Sequence, residues 1–366
     1  MKEKAGDHIF LIILGSIILF GLAVLASASS VLSYQDFGNS YGYLKHQFLA
    51  GILPGIFVFF IASRIDYSIF RKYSFIFLIF SVFLLFLLFV PGLGVQTKGA
   101  ARWLNFYFFT FQPSELLKLT FILYLAAWLD SRKSSLESFK EGLVPFLVIS
   151  ALIAALLVVQ PDIGTLIVVL AIGALVYFSA GGKMAHLGFA FLAGVLSLSI
   201  LVYSEQYRLK RWLTFLNPDA DPLGSGYQIK QALIAIGSGG FFGLGFGMSK
   251  QKYNYLPEPM GDSVFAITAE EFGFVGSVIL IGLFLLLAWK GLQIAKNAQT
   301  RFGKLAAVGI TSWITVQAII NIGSISGLMP LTGITLPFIS YGGSSTLVLL
   351  AASGILYNIS RSKVKH

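Results

Sequence analysis

The chain has 366 residues, of which 56% are hydrophobic and 11% charged, with a mean hydropathy of +0.82. Soluble domains carry about 25% charged residues, so an ordinary soluble fold is excluded, and the net charge of +10 reads as cations flanking membrane spans rather than a nucleic-acid surface. With no cysteine there is no disulfide framework and no thiolate metal site, and the scattered His8, His46, His186 and His366 do not form a zinc pattern.

A spanning helix needs roughly 20 mainly apolar residues. About ten such runs follow one another, near 9–27, 47–63, 74–91, 114–129, 142–159, 163–180, 187–203, 266–289, 305–326 and 344–360. The first is long and is not followed by a cleavage site and a soluble domain, so it reads as a retained span. Loop cations orient the bundle. With the N-terminus inside, the cytoplasmic segments hold Lys2, Lys4, Arg64, Arg71, Lys72, Arg132, Lys133, Lys140, Lys183, Lys290, Lys296, Arg301, Lys304, Arg361, Lys363 and Lys365, whereas the short outer loops hold Lys45, Lys98 and Arg102. The expectation is an all-α integral membrane protein: one polytopic domain over 1–366, both termini cytoplasmic, with a long extracytoplasmic loop over 203–265 between the seventh and eighth helices.

Polar residues beside or inside apolar runs are costly, and each is a functional hypothesis. In FQPSELLKL (111–119), Pro113 suits the first helical position after Gln112, and Ser114 and Glu115 suit the first turn. Glu115 and Lys118 are three apart and can pair, either to orient helices or to serve a site. In VQPDIGT (159–165), Pro161 ends one span and Asp162 can cap the next. The long loop carries Arg208, Lys210, Arg211, Lys230, Lys250 and Lys252. Loops of this length are usually functional. Its stretch QIKQALIAIGSGGFFGLGFG (228–247) reads as a short amphipathic or re-entrant element against the bundle.

The loop ends in NYLPEPMGDSVF (254–265). Glu258 between two prolines suits a solvated turn. Asp262 sits just ahead of an apolar helix, where it can either cap that helix or, held near low dielectric, act as a base. Glu270 and Glu271 fall in the first turns of that helix, where the macrodipole favours acids. The last span opens with LPFISYGGSS (336–345). Gly342, Gly343, Ser344 and Ser345 either cap the helix or leave N–H groups for an anion. Arg102, Arg208, Lys210 and Arg211 share the side on which Asp262 emerges, a charge pattern that suits a lipid-linked pyrophosphate.

Five segments in order, GAARWLNFYFFTFQPSELLKL, VQPDIGT, NPDADPLGSGYQIKQALIAIGSGGFFGLG, YLPEPMGDSVFAITAEEFGFVG and GLMPLTGITLPFISYGGSS, resemble the SEDS family (shape, elongation, division and sporulation), which includes FtsW and RodA. The resemblance covers nearly the whole chain. SASS, KQKYNYLPEP and ITLPFISYGGSS resemble the division branch, FtsW, more than the elongation branch. The resemblance implies a ten-helix protein of the bacterial cytoplasmic membrane, a peptidoglycan glycosyltransferase that polymerises lipid II on the outer face. Implied partners are a class B penicillin-binding protein transpeptidase and other divisome or elongasome membrane proteins. The family's essential aspartate corresponds to Asp262, its motif tryptophan to Trp103 beside Arg102, and its Glu and Lys pair to Glu115 and Lys118. Many relatives have His-Thr before the aspartate and Phe after it, where this chain has Met260, Gly261 and Ser263.

On this reading Asp262 is the base, and Arg102, Arg208 and Lys210 face the pyrophosphate. Trp103, Glu115 and Lys118 serve substrate binding, and Gln112, Pro113, Asp162, Glu270 and Ser344 support the site. No protein metal site is visible in the sequence. A divalent cation, Mg or Mn, bound with the pyrophosphate is compatible with the chemistry. The rival reading is a lipid II flippase, which needs polar groups through the full membrane depth. Here they cluster in the outer half and the long loop. A scaffold for division proteins, the third reading, leaves the loop's acid and cations unexplained.

Overall fold

The computed structural model describes residues 6–97, 100–106, 109–133 and 135–361. Lys2, Lys4, Lys98, Lys363, Lys365 and His366 lie outside the described residues. Helix α1 (His8–Ala28) is followed by the short α2 (Ser30–Phe37). A single rod then runs through α3 (Gly42–His46), a π-helical turn (Gln47–Ile52) and α4 (Leu53–Arg64). Next come α5 (Tyr67–Leu87), strands β1 (Gly94–Thr97), β2 (Ala100–Asn105) and β3 (Thr110–Phe111), and α6 (Pro113–Ser131). A π-helical turn (Phe139–Leu143) leads into α7 (Val144–Val159), then α8 (Ile163–Ser179) and α9 (Met184–Tyr203). The long connection holds α10 (Gln206–Leu216) and α11 (Ser225–Ser238), and the chain ends with α12 (Val264–Lys296), α13 (Arg301–Ile325) and α14 (Gly343–Arg361).

Eight of these rods are long and apolar enough to cross a membrane. The other two expected spans are α8, which is shorter, and α6, whose apolar run carries Glu115, Lys118 and Asp130. α13 is the central post, with 72% of its apolar window buried, whereas α9 sits at the periphery with 6% buried. The described chain ends meet at one end of the bundle: the Asp7 N–H donates to Ser360 Oγ, and Lys290 Nζ lies 3.1 Å from Asp7 Oδ2. Arg71 pairs with Asp130 at 2.7 Å and Arg301 donates to the Ala180 carbonyl at that same end.

Two expectations need correction. The third span begins at Tyr67 rather than near 74, because Asp66 caps it by accepting from the Ser68 N–H and the helix tolerates Arg71 and Lys72 in its first turns. The segment before α6 is not plain loop: β1, β2 and β3 form an antiparallel sheet that carries Arg102 and Trp103. The long connection's stretch 228–247, expected as a short amphipathic or re-entrant element, packs against the bundle: α11 covers its first part and the glycine-rich part inserts beside α12. That helix breaks at Gly273 (φ 66°, ψ −162°), and the loop supplies what the break removes. Leu244 and Gly245 N–H groups donate to the Glu270 and Glu271 carbonyls, and Phe274 and Val275 N–H groups donate to the Gly240 and Phe241 carbonyls. Unpaired backbone groups are prohibitive in lipid, so loop and break require one another. Gly243 (φ 85°) makes the approach possible, since a Cβ there would stand 2.1 Å from the Glu271 carbonyl oxygen.

Candidate functional site

The polar segments converge at the end of the bundle opposite the termini. Asp262 is half-buried on the turn that leads into α12. Its Oδ1 accepts from Gln228 Nε2 of α11 at 3.3 Å, and Gln228 also donates to Ser263 Oγ at 3.1 Å. Ser263 is fully buried and donates to the Pro257 carbonyl, so it braces the turn from within.

The segment before α14 holds the other side of the turn. The Tyr341 N–H donates to the Met260 carbonyl (2.8 Å) and Ser340 Oγ to the Gly261 carbonyl (2.7 Å). From α13, Asn321 Nδ2 donates to both the Asp262 carbonyl (2.9 Å) and the Ile334 carbonyl (2.7 Å). Asp262 is thus set by α11, α13 and the α14 approach together. A carboxylate on a turn gains precision when rigid neighbours hold the turn.

A second network joins β2, α6, α8 and α14. Arg102 Nη2 donates to the Pro161 carbonyl, and Arg102 Nε is buried without a hydrogen bond. Asp162 caps α8 through the Thr165 N–H and accepts from Ser114 Oγ at 3.3 Å. Pro113 opens α6 after Gln112, whose N–H donates to Ser344 Oγ and whose Nε2 donates to Ser114 Oγ. Ser344 Oγ donates to the Thr110 carbonyl of β3. The N–H groups at the start of α14 are not all open to an anion, because Gly342 N–H donates to the buried Gln47 Oε1.

Between these networks lies a cavity of 290 Å³ lined by Trp103, His46, Phe109, Tyr341, Gly343 and Ser344 among others. It borders the Asp262 turn through Tyr341 rather than including Asp262 itself. Trp103, Phe109, Phe111 and Tyr341 give the wall its aromatic faces, and Tyr341 Oη lies 2.9 Å from His46 Nδ1. Burial pushes the Tyr341 phenol up to about 12, so it stays protonated at neutral pH.

The other expected residues fall elsewhere. Lys118 Nζ lies 2.8 Å from Glu115 Oε1 and 2.8 Å from Gln317 Oε1, with both charges buried among helices. Arg208 turns back on the Leu201 carbonyl of α9, and Lys210 pairs with Asp221 at 3.0 Å. Lys210 holds the Asp221 carboxyl below the usual carboxylate range. Arg211 is the α10 cation that reaches the Leu331 carbonyl, close to Gly333, which faces Asp262. Glu270 does more than complement a dipole: it accepts from Ser249 Oγ and from the Lys250 N–H (3.0 Å).

Sequence reasoning did not select Gln228, Asn321, Tyr341 or His46. Gln317 and Asn321, polar and four apart within an apolar run, gave the available signal.

A family model described as a cell cycle protein, covering the FtsW, RodA and SpoVE proteins, matches residues 7–365. Stage V sporulation protein E of Bacillus subtilis is 42% identical over 98% of both chains. A probable peptidoglycan glycosyltransferase FtsW of Geobacter sp. is 38% identical over 98% of both chains. Among solved structures, a chain from a peptidoglycan synthase complex, described as coordinating polymerization and crosslinking, aligns with a TM-score of 0.83 at 28% identity over 99% of both chains. The rod shape determining protein RodA of Thermus thermophilus aligns with a TM-score of 0.71 at 28% identity, over 98% of this chain and 97% of that one.

Proposed function

The chain belongs to the FtsW, RodA and SpoVE family of cell cycle proteins, and from that premise we propose that it is a multi-pass membrane peptidoglycan glycosyltransferase that polymerises lipid II, with Asp262 as its base. The observation that carries the assignment is the bracing of the Asp262 turn by Gln228, Asn321, Ser340 and Tyr341 beside an aromatic-lined cavity.

The 4-hydroxyl of an acceptor GlcNAc attacks the anomeric carbon of a MurNAc that carries undecaprenyl pyrophosphate. The Asp262 carboxylate takes the hydroxyl proton as the new C–O bond forms. The bond from the anomeric carbon to the pyrophosphate breaks, and the electron pair leaves on phosphate oxygen. That leaving group is already anionic, so nearby cations contribute more than a general acid. Arg102 and the α10 cation Arg211, which reaches the Leu331 carbonyl, are the candidates; Arg208 and Lys210 would join them only by leaving the Leu201 carbonyl and Asp221. Aromatic faces such as Trp103 suit the apolar side of a sugar ring.

Among the described residues no three His, Asp or Glu side chains gather into a metal-binding group. A divalent cation, Mg or Mn, bound with the pyrophosphate is compatible with the chemistry and would enter as part of the substrate. The termini and the end rich in Arg71, Lys290 and Arg301 face the cytoplasm on this reading, placing Asp262 on the outer side of the cytoplasmic membrane. A class B penicillin-binding protein is the proposed cross-linking partner, in keeping with the peptidoglycan synthase complex that the fold resembles.

The test is to incubate the purified protein, with its cognate penicillin-binding protein, with lipid II and resolve the products on a gel. A ladder of glycan chains is expected. Transfer of intact lipid II across a vesicle bilayer without any polymer would favour the flippase reading.

A further inference from the structure

A buried charged cluster where the long connection meets α1 and α12 has no part in the mechanism above. Lys252 Nζ lies 3.1 Å from Glu271 Oε1, with side-chain exposures of 3% and 1%. The same Nζ donates to Ser27 Oγ of α1 (2.8 Å) and to the Gly247 carbonyl (2.6 Å). Ser27 Oγ in turn donates to Glu271 Oε1, and the Ser249 N–H donates to that same oxygen at 3.2 Å.

The topology gives this cluster a purpose. Segment 249–252 is pinned by Glu270 and Glu271, two acids inside α12. The chain then runs outward through 254–261 to Asp262 and re-enters α12 at Val264. Asp262 therefore rides on a closed loop whose base is fastened to the helix that the loop precedes. The pin lies immediately before the break at Gly273, where the helix itself cannot hold the geometry. A buried ion pair is a poor source of net stability, and it is well suited to fixing one arrangement among several.

We infer that Lys252 and Glu271, bridged by Ser27, are positioning residues for Asp262, and that the bridge makes the catalytic turn answer to the placement of α1. The inference rests on the reading of Asp262 as the base. Neither side chain touches substrate on this account. Both act through the turn, where a displacement of about 1 Å can cost about 100-fold in rate.

The experiment measures initial polymerisation rate at saturating lipid II, lipid II affinity and thermal stability. The proteins are the parent, Lys252→Met, Glu271→Gln, the double variant Lys252→Met/Glu271→Leu, and the milder Ser27→Ala, each with the cognate penicillin-binding protein. Each charge-removing single variant should lose about 10- to 100-fold in saturated rate while lipid II affinity changes less than about threefold. The double variant, which leaves no buried charge unpaired, should recover stability but not rate. Ser27→Ala, which removes only a hydroxyl, should fold normally and still lose several-fold in saturated rate.

If Ser27→Ala and the double variant both fold and turn over at the parent rate, the positioning role is wrong. If the rate recovers in step with stability in the double variant, the cluster serves folding alone and the inference also falls. Failure of the parent protein itself to make polymer would instead count against the glycosyltransferase reading.

Discussion

Lys118 and Glu115 form a 2.8 Å ion pair that also engages Gln317, so one buried cation ties α6 to the central post α13. Trp313 adds to the tie: its Nε1 donates to Gln317 Oε1, and the Lys118 ammonium lies 4.9 Å from its ring. Removing either partner strands the other charge, at a cost of about 3–5 kcal/mol. Glu115→Ala and Lys118→Ala should each lower thermal stability as much as the double variant does. A double-mutant cycle with purely additive losses would show that the two side chains do not interact.

The glycine loop and the break in α12 should fail together. Gly273→Ala places a Cβ 2.3 Å from the Gly243 nitrogen at a φ of 66°, and Gly243→Ala meets the Glu271 carbonyl oxygen. Each substitution combines left-handed backbone strain, worth about 1–3 kcal/mol, with lost hydrogen bonds across the break. Both variants should melt well below the parent and expose 239–252 to proteolysis. Parent-like melting of Gly243→Ala would show that the loop does not need its close approach.

Cations proposed to meet the pyrophosphate should govern binding more than turnover. Hydrogen bonds to charged groups contribute about 1.5–3 kcal/mol, so losing one phosphate contact should weaken lipid II binding roughly tenfold or more. Arg102→Ala, Arg208→Ala and Lys210→Ala should raise the Kd for lipid II, with the effect shrinking at high salt. Arg102 should matter most, since it also holds the Pro161 carbonyl beside the Asp162 cap. Unchanged affinity in all three would reassign these cations to a protein partner.

The Lys210–Asp221 pair carries a pH signature. Asp221 is held below its ordinary value chiefly by the hydrogen bond from Lys210. A carboxyl depressed in the folded state stabilises above the unfolded value, about 3.9, and loses that contribution as pH falls through the folded value. Hydrogen-exchange protection in 217–225, corrected for the intrinsic rate, should therefore hold at neutral pH and fall only in acid below about pH 4. Lys210→Ala should move that onset upward. An onset unaffected by Lys210→Ala would show that the pair does not anchor the segment between α10 and α11.

Much of the architecture is legible in the chain because lipid demands long apolar surfaces, which sequence displays directly. The ten runs appear as helices, and Asp162 appears as the cap of α8. The third span drifted because Arg71 and Lys72 resemble loop charges, while the bundle answers Arg71 with Asp130. The small sheet was missed because strands this short have weak periodicity amid aromatic residues. Distance along the chain hid most of the site: Gln228, Asn321 and Tyr341 meet at Asp262 only because α11, α13 and the α14 approach converge. The re-entrant character of 228–247 shows in its glycines, but the partners of Glu270 and Glu271, Ser249, Lys250 and Lys252, do not, because they meet these acids only where the loop packs beside the break in α12.

The central claim is that Asp262 performs the proton transfer. Asp262→Asn keeps the shape of the turn and the backbone carbonyl that Asn321 holds, and removes only the base. The decisive measurement is glycan polymerisation from lipid II by this variant with its partner, alongside its lipid II affinity and melting temperature. The account predicts parent-like folding and binding with no polymer on the gel. A folded Asp262→Asn protein that makes glycan chains at close to the parent rate would contradict it.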